Sequence, residues 1–153
     1  MNPSITIHQI DLESFDSALN LLECFFREEG FDTLADEMRA SLRAILTCPD
    51  NAVFLAWHGA EAIGVVTVST SLSVEYGRCA EIDDLYVLPL VRQQGVAAAL
   101  IEAATAWCRQ QGCTVALVTV TPAGDTMHGL VGFYQRRGFV HTGRVILTYS
   151  LKD

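Results

Sequence analysis

Val91-Arg92-Gln93-Gln94-Gly95-Val96-Ala97-Ala98-Ala99-Leu100 joins a strand-like run, Ile82 to Leu88 closed by Pro89, to a strongly helical segment. An Arg-x-x-Gly-x-Ala turn at a strand-to-helix junction gathers several backbone N–H groups at the positive end of a helix. That arrangement is a site for a phosphate or pyrophosphate. Gly95 lets the backbone approach such a ligand closely, Ala97 keeps the next turn slim, and Gln93 and Gln94 add donors without adding charge. Taken alone, the turn also fits a plain helix start that happens to carry Arg and Gly.

A second stretch narrows the choice. Gly132-Phe133-Tyr134-Gln135-Arg136-Arg137-Gly138-Phe139 is an aromatic-rich helix end stopped by Gly138 and followed by a strand-like run. Arg-x-x-Gly-x-Ala after a strand, then Phe-Tyr-x-x-x-Gly-Phe farther on, resembles the GNAT N-acetyltransferases. The motif order is kept over residues 52–150.

The rest of the chain reads as follows. Ser4 to Ile10 alternates weakly, as a first strand does. Leu12 to Glu29 carries Phe15, Ala18, Leu19, Leu22, Phe25 and Phe26 on one helical face, with Asp11 or Ser14 as cap and Gly30 as stop. Thr33 to Leu46 is a second helix. Ala52 to Trp57 and Ala62 to Ser71 flank the turn His58-Gly59-Ala60-Glu61, and Cys79 to Leu88 is a third strand after a polar loop. Gln94 to Gln111 is the best helix, Thr114 to Thr121 has the continuous β-branched run of an interior strand, and Thr126 to Arg137 is a short helix. Phe139 to Leu151 supplies one long strand or two short ones. The expected architecture is α/β (α+β): one domain over residues 1–153, with flanking helices around a mixed, mostly antiparallel sheet of about six or seven strands. The resemblance adds a splay between the strands at 82–88 and 114–121, where the cofactor's pantetheine arm lies.

Composition limits the function classes. The chain has 153 residues, enough for one full core, and a net charge of −8. Residues 1–90 hold 15 acids and 4 bases, whereas residues 91–153 hold 3 acids and 6 bases. A chain this acidic is a poor nucleic-acid binder. The asymmetry suits a two-ligand site, with an anionic ligand on the C-terminal half and a cationic one facing the N-terminal half, or equally a solvated acidic surface. The most apolar region, Ala52 to Val68, is broken by His58, Gly59 and Glu61, so no membrane span is expected. The start, Met1 to Ile10, lacks the pattern of a secretory leader. Five cysteines without Cys-x-x-Cys spacing argue against a zinc site or a disulfide framework; reduced thiols in a cytoplasmic protein fit better.

The resemblance implies an enzyme that moves an acetyl group from acetyl-CoA to an amine by direct attack in a ternary complex, without metal. It places the pyrophosphate on Arg92, Gln93, Gln94, Gly95, Val96 and Ala97, and pairs the pantetheine amides with the main chain around Leu85, Tyr86 and Val87. Tyr134 matches the family's general acid for the departing thiolate. A carboxylate at Glu81 or Asp83 accepts the amine proton or holds the ammonium. These two share a strand face, while Asp84 points the other way unless a bulge intervenes. Met127 stands where many members carry an Asn, with Thr126 or His128 as replacements for its cofactor contact. The acceptor pocket of the family draws on the first two helices, the loop after the third strand and the C-terminal strands. Here those parts offer Phe26, Glu29, Asp32, Tyr76 and Asp84 as substrate-binding candidates, an acidic and aromatic set suited to a small cationic amine.

Tyr-Val-Leu-Pro followed by Arg-x-x-Gly-Val-Ala is also similar to small bacterial aminoglycoside N-acetyltransferases, which implies an aminoglycoside-like or polyamine-like acceptor and a role in antibiotic resistance. A peptide or protein N-acetyltransferase and a non-catalytic acyl-CoA-binding sensor are the competing classes. A homodimer is common in the family, though no segment here marks an interface.

Overall fold

The computed structural model describes residues 4–153; residues 1–3, on which part of the leader reading falls, lie outside the described residues. The chain divides into two compact units, the first ending at Thr119 and the second covering Val120–Asp153.

The first unit is a sheet with helices on both faces. Strand β1 (Ile5–Gln9) leads through a turn capped by Asp11 into helices α1 (Phe15–Glu29) and α2 (Ala35–Thr47). Strands β2 (Asn51–His58), β3 (Glu61–Ser73) and β4 (Gly77–Val87) form a meander, then come helix α3 (Val96–Gln110) and strand β5 (Val115–Val118). The strands lie in the order β1-β2-β3-β4-β5, antiparallel except for the parallel β4–β5 pair. Gly30 ends α1 in the left-handed conformation, as the sequence implied.

Residues alternate between the two faces of the meander. Val53, Leu55 and Val65 pack with Phe15, Ala18, Leu19, Leu22, Met38 and Leu42 of α1 and α2. The alternate residues of β3 lie on the α3 side, where Leu100 and Ala104 are fully buried. Burying a side chain the size of Leu100 contributes about 1.5–3 kcal/mol. At Gly64 the helix comes so close that an added Cβ would lie 3.0 Å from the Leu100 side chain and 3.2 Å from the Tyr86 carbonyl oxygen.

The second unit contains α4 (Pro122–His128) and α5 (Leu130–Gln135). The single helix expected over 126–137 is broken because Gly129 adopts a left-handed φ of 61°, and the Asp125 carboxylate accepts the Val131 N–H at 2.9 Å.

Three further expectations need correction. Residues 139–151, expected to supply one long strand or two short ones, form no strand, and Val140, Val145, Leu147, Tyr149 and Leu151 are exposed; the described sheet of five strands is still roughly the size expected. β-branched composition favours a strand only where an edge pairs with it. The run 114–121 shortens to four residues because Thr121 instead caps α4, accepting the Gly124 N–H at 3.0 Å. Strand β5 is an edge rather than an interior strand among the described residues, and it is only partly buried.

Replacing Gly64 with Val is expected to destabilise the chain by about 1–3 kcal/mol through overpacking, read as a lower midpoint of thermal unfolding.

Candidate active site

The β3–β4 ladder slips at one step. Thr67 pairs with Asp84, yet Val68 pairs with Ile82, so Asp83 is an extra residue on β4: a β-bulge. The bulge shifts the alternation of side chains by one. Glu81 stands opposite Ser69, and Asp84 stands opposite Thr67, residues two apart that share the α1–α2 face. Thr67 Oγ1 donates to Asp84 Oδ2 at 2.6 Å, and Ser69 Oγ donates to Asp83 Oδ2 at 2.9 Å. All three carboxylates therefore gather on one face. Asp84, which a regular strand would turn away, belongs with Glu81 and Asp83.

This crowding has an electrostatic consequence. Asp83 is exposed as a residue, and it is the partial loss of water on the inner side of its carboxyl that pushes that group up to about 6; Glu81 and Asp84 push the same way, and the Ser69 hydrogen bond opposes them. Asp84 is also raised, by burial first, with the Thr67 hydrogen bond opposing. Glu81 is exposed and sits 3.5 Å from the Thr119 hydroxyl of the β5 end.

The bulge coincides with the point where β4 and β5 part. Their parallel register runs from Cys79–Val115 to Ile82–Val118 and stops there. Beyond it, Asp84 to Val87 are paired only with β3 among the described residues, so the expected splay starts at the bulge. The Leu88 N–H donates to Ile63 O, which turns the 84, 86 and 88 peptide groups toward β3 and those of Leu85 and Val87 toward the open edge. Of the residues expected to meet the pantetheine arm, Leu85 and Val87 thus present main chain to the gap. The Tyr86 peptide group faces β3, and its ring is buried with its centroid 5.7 Å from that of Phe25.

The turn after β4 places its amides as the sequence implied. Gly95 caps α3 in the left-handed region at φ 82°, no side chain caps the helix, and the first intrahelical bond there is Ala99 N–H to Gly95 O. The first-turn N–H groups of a helix have no intrahelical partner. No atom lies within 4 Å of where a Gly95 Cβ would stand. Gln93 also has a positive φ, 61°, while Gln94 is exposed and Val96 and Ala97 begin the helix.

Arg92 differs from its companions. Its guanidinium donates to Val87 O at 2.9 Å, pairs with Glu28 at 2.8 Å and lies 5.5 Å above the Tyr86 ring centroid. The side chain is a strut between the turn, β4 and the end of α1. Sequence reasoning found neither this role nor Glu28 as its partner; nor did it find Thr67 and Ser69, although polar residues at 67, 69 and 71 interrupt one face of an apolar strand.

The acceptor candidates separate into two groups. Phe26 belongs to an aromatic cluster at the end of α1, with ring centroids 5.6 Å from Phe25 and 5.2 Å from Phe31, and the cluster reaches β4 through Phe25 and Tyr86. Glu29 is half-buried at the last residue of α1, and Asp32 is exposed just beyond. Asp84 shares the face and strand of Tyr86. Tyr76 lies in the β3–β4 turn, where its carbonyl accepts from Thr114 at 2.6 Å. That is about 20 Å along the strand from the bulge at the usual rise per residue.

In the second unit, Tyr134 is buried, its ring centroid 5.1 Å from that of Phe133 and 5.2 Å from that of Phe139. Burial pushes its phenol up to about 12, with the nearby Arg137 opposing.

The sequence matches the acetyltransferase (GNAT) family over residues 15–139. The chain belongs to that family. No curated protein matches this GNAT chain in sequence. Among solved structures, an integron cassette protein from the mobile metagenome of Cole Harbour Salt Marsh is 26% identical with a TM-score of 0.84, covering 96% of this chain and 91% of that one. The aminoglycoside N-acetyltransferase AAC(6')-Iy in complex with CoA is 25% identical with a TM-score of 0.83, covering 97% and 96%. The same enzyme with the bisubstrate analog CoA-S-monomethyl-acetylneamine is 25% identical with a TM-score of 0.82, covering 96% and 98%. These likenesses extend over nearly the whole of each chain, so the GNAT assignment is not confined to the cofactor turn.

Because the folded-state value of Asp83 is raised, its contribution to stability is present below the unfolded value of 3.8 and lost as pH rises through about 6. Asp83→Asn is therefore expected to unfold at a higher temperature than the parent chain at pH 8, and the gain should fade as the pH approaches 4. Thermal unfolding across that range checks both signs.

Proposed function

We propose that this chain transfers an acetyl group from acetyl-CoA to a primary amine of a small cationic acceptor, aminoglycoside-like or polyamine-like. The observation that carries the reading is the convergence of Glu81, Asp83 and Asp84 on one sheet face, beside the aromatic cluster of Phe25, Phe26 and Phe31. Clustered carboxylates attract ammonium groups, and aromatic faces bind cations or sugar rings. The likeness to AAC(6')-Iy, solved with CoA and with a bisubstrate analog, supports the same pair of substrates here.

The residues present fit acetyl-CoA. The Gly95 turn leaves open space and unbonded helix N–H groups for a pyrophosphate, contributed by Gln93, Gln94, Gly95, Val96 and Ala97, with Arg92 bracing the turn. The open edge of β4 offers the Leu85 main chain and the Val87 N–H to the pantetheine amides, the Val87 carbonyl already accepting from Arg92, and Tyr86 supports that edge from the core. A backbone N–H near the bulge polarises the thioester carbonyl.

The acceptor enters as an ammonium ion held by the carboxylates, with Glu29, Asp32 and, for an extended acceptor, Tyr76 beyond. Asp83 takes one proton, the neutral amine nitrogen attacks the thioester carbon, and the second nitrogen proton passes to water as C–N forms and C–S breaks. The sulfur leaves as thiolate, and Tyr134, held as a phenol, donates a hydrogen bond and then its proton to it. The support for Tyr134 is its place in the Phe-Tyr-x-x-x-Gly-Phe motif. We extend the reading to one acetyltransferase domain over residues 1–153.

Thiol release from acetyl-CoA against a panel of aminoglycosides, polyamines, amino acids and short peptides tests the assignment. Turnover with one cationic class is expected; turnover with peptide α-amines alone would overturn the acceptor, and none with any amine would overturn the reaction. With the acceptor found, kcat/KM should rise about tenfold per pH unit up to about 6, where Asp83 ionises, and Asp83→Asn should erase that limb and lower kcat by about 10²–10⁴-fold. Tyr134→Phe should lower kcat by about 10²-fold with acetyl-CoA affinity unchanged by calorimetry, whereas Gly95→Glu should abolish that affinity. Equal loss of turnover and affinity in Tyr134→Phe would make Tyr134 structural.

A further inference from the structure

Thr67 is 1% exposed, and it is the buried polar side chain of the core among the described residues. Its strand neighbours Val65, Val66 and Val68 are all buried valines, as is Val53 across the ladder. Packing alone would be served by another valine there, because a hydroxyl removed from water is unfavourable unless it is bonded. The Thr67 hydroxyl is bonded twice, to a single residue. It donates to Asp84 Oδ2 at 2.6 Å and accepts the Asp84 N–H at 3.1 Å.

The two bonds close a ring across the ladder at the step where the register slips. A bulge leaves one residue unpaired, and the ladder around it is weakened. Holding both the backbone and the side chain of the next residue fixes where the slip occurs. Ser69, two residues along the same face, holds the bulged residue itself through Asp83 Oδ2 at 2.9 Å. Moved by one residue, the bulge would turn a different set of side chains to the α1–α2 face and a different set of peptide groups to the open edge.

We propose that Thr67 is a positioning residue for acetyl transfer: through Asp84 it pins the bulge, and so sets the direction in which the Asp83 carboxylate meets the acceptor amine. The inference rests on the transferase reading above and adds to it a residue outside the acidic set, the cofactor turn and the motif tyrosine. Thr67 acts through Asp84.

The test compares Thr67→Val, which keeps the branched shape and removes the hydroxyl, with Thr67→Ser, which keeps the hydroxyl. Both are made in the full chain and checked for fold by circular dichroism. Thr67→Val is expected to lower kcat by about 10- to 100-fold, because small misplacements of reacting groups have effects of that order. Its acetyl-CoA affinity should stay within about threefold of the parent by calorimetry, and Thr67→Ser should keep kcat within about threefold. In an Asp83→Asn background, Thr67→Val should cause little further loss, since the hydroxyl works through the placement of that carboxylate. Should the valine variant not fold, Thr67→Ala replaces it with the same expected readings; failure of both to fold would make the hydroxyl structural and overturn the proposal. Parent-like kcat in Thr67→Val, equal loss of kcat and acetyl-CoA affinity, or a fully additive loss with Asp83→Asn would each overturn it too. A parent chain that acetylates no amine would defeat the transferase reading first, and that outcome is distinct from an active parent matched by Thr67→Val.

Discussion

One extra residue, Asp83, inserted between two ladder positions of β4, is the constraint on which the candidate site depends. A bulge bends its strand and increases local twist. On one side of β4 the bend coincides with the end of the parallel pairing to β5, leaving an open edge between Asp83 and Val87. On the face toward α1 and α2 it resets the alternation, so that Glu81, Asp83 and Asp84 converge instead of dividing between two faces. The open edge of β4 and the acidic surface thus have a common origin, and both are anchored by two hydroxyls, Thr67 and Ser69, on the neighbouring strand.

The arrangement works against stability. Three carboxylates on one face, two of them raised mainly by burial, form a locally unfavourable cluster in the ionised state. The sheet tolerates it because both faces of the meander are otherwise packed, by α1 and α2 on one side and by α3 on the other. A second electrostatic feature links α1 to the turn before α3. Arg92, in the turn that precedes α3, reaches Glu28 near the end of α1, so the helix bearing the aromatic cluster and the turn bearing the open amides are tied by one ion pair.

Sequence reading recovered most elements of the first unit to within a few residues. Their signals are local: the apolar stripe of α1, the His58–Glu61 turn, and Gly95 before a long helix. The bulge was not legible, because a one-residue slip is a relation between β3 and β4 and neither strand's pattern contains it alone. Its possibility was nevertheless visible in three acids spaced too closely for one face of a regular strand. The Arg92–Glu28 pair joins residues far apart in sequence, so the motif singled out Arg92 without its partner on α1. The C-terminal run failed for a different reason. Val145-Ile146-Leu147 has strand composition, but composition supplies no partner, and these residues stay exposed and unpaired in any sheet.

The claim that the bulge creates a poised carboxylate is tested most directly by titrating Asp83 in the intact chain, following its side-chain carboxyl carbon by NMR and assigning it by comparison with Asp83→Asn. The expected midpoint is about 6, well above an ordinary aspartate. A midpoint near the unperturbed value of 3.8 would show that the acids do not crowd one another out of water, and would contradict the account.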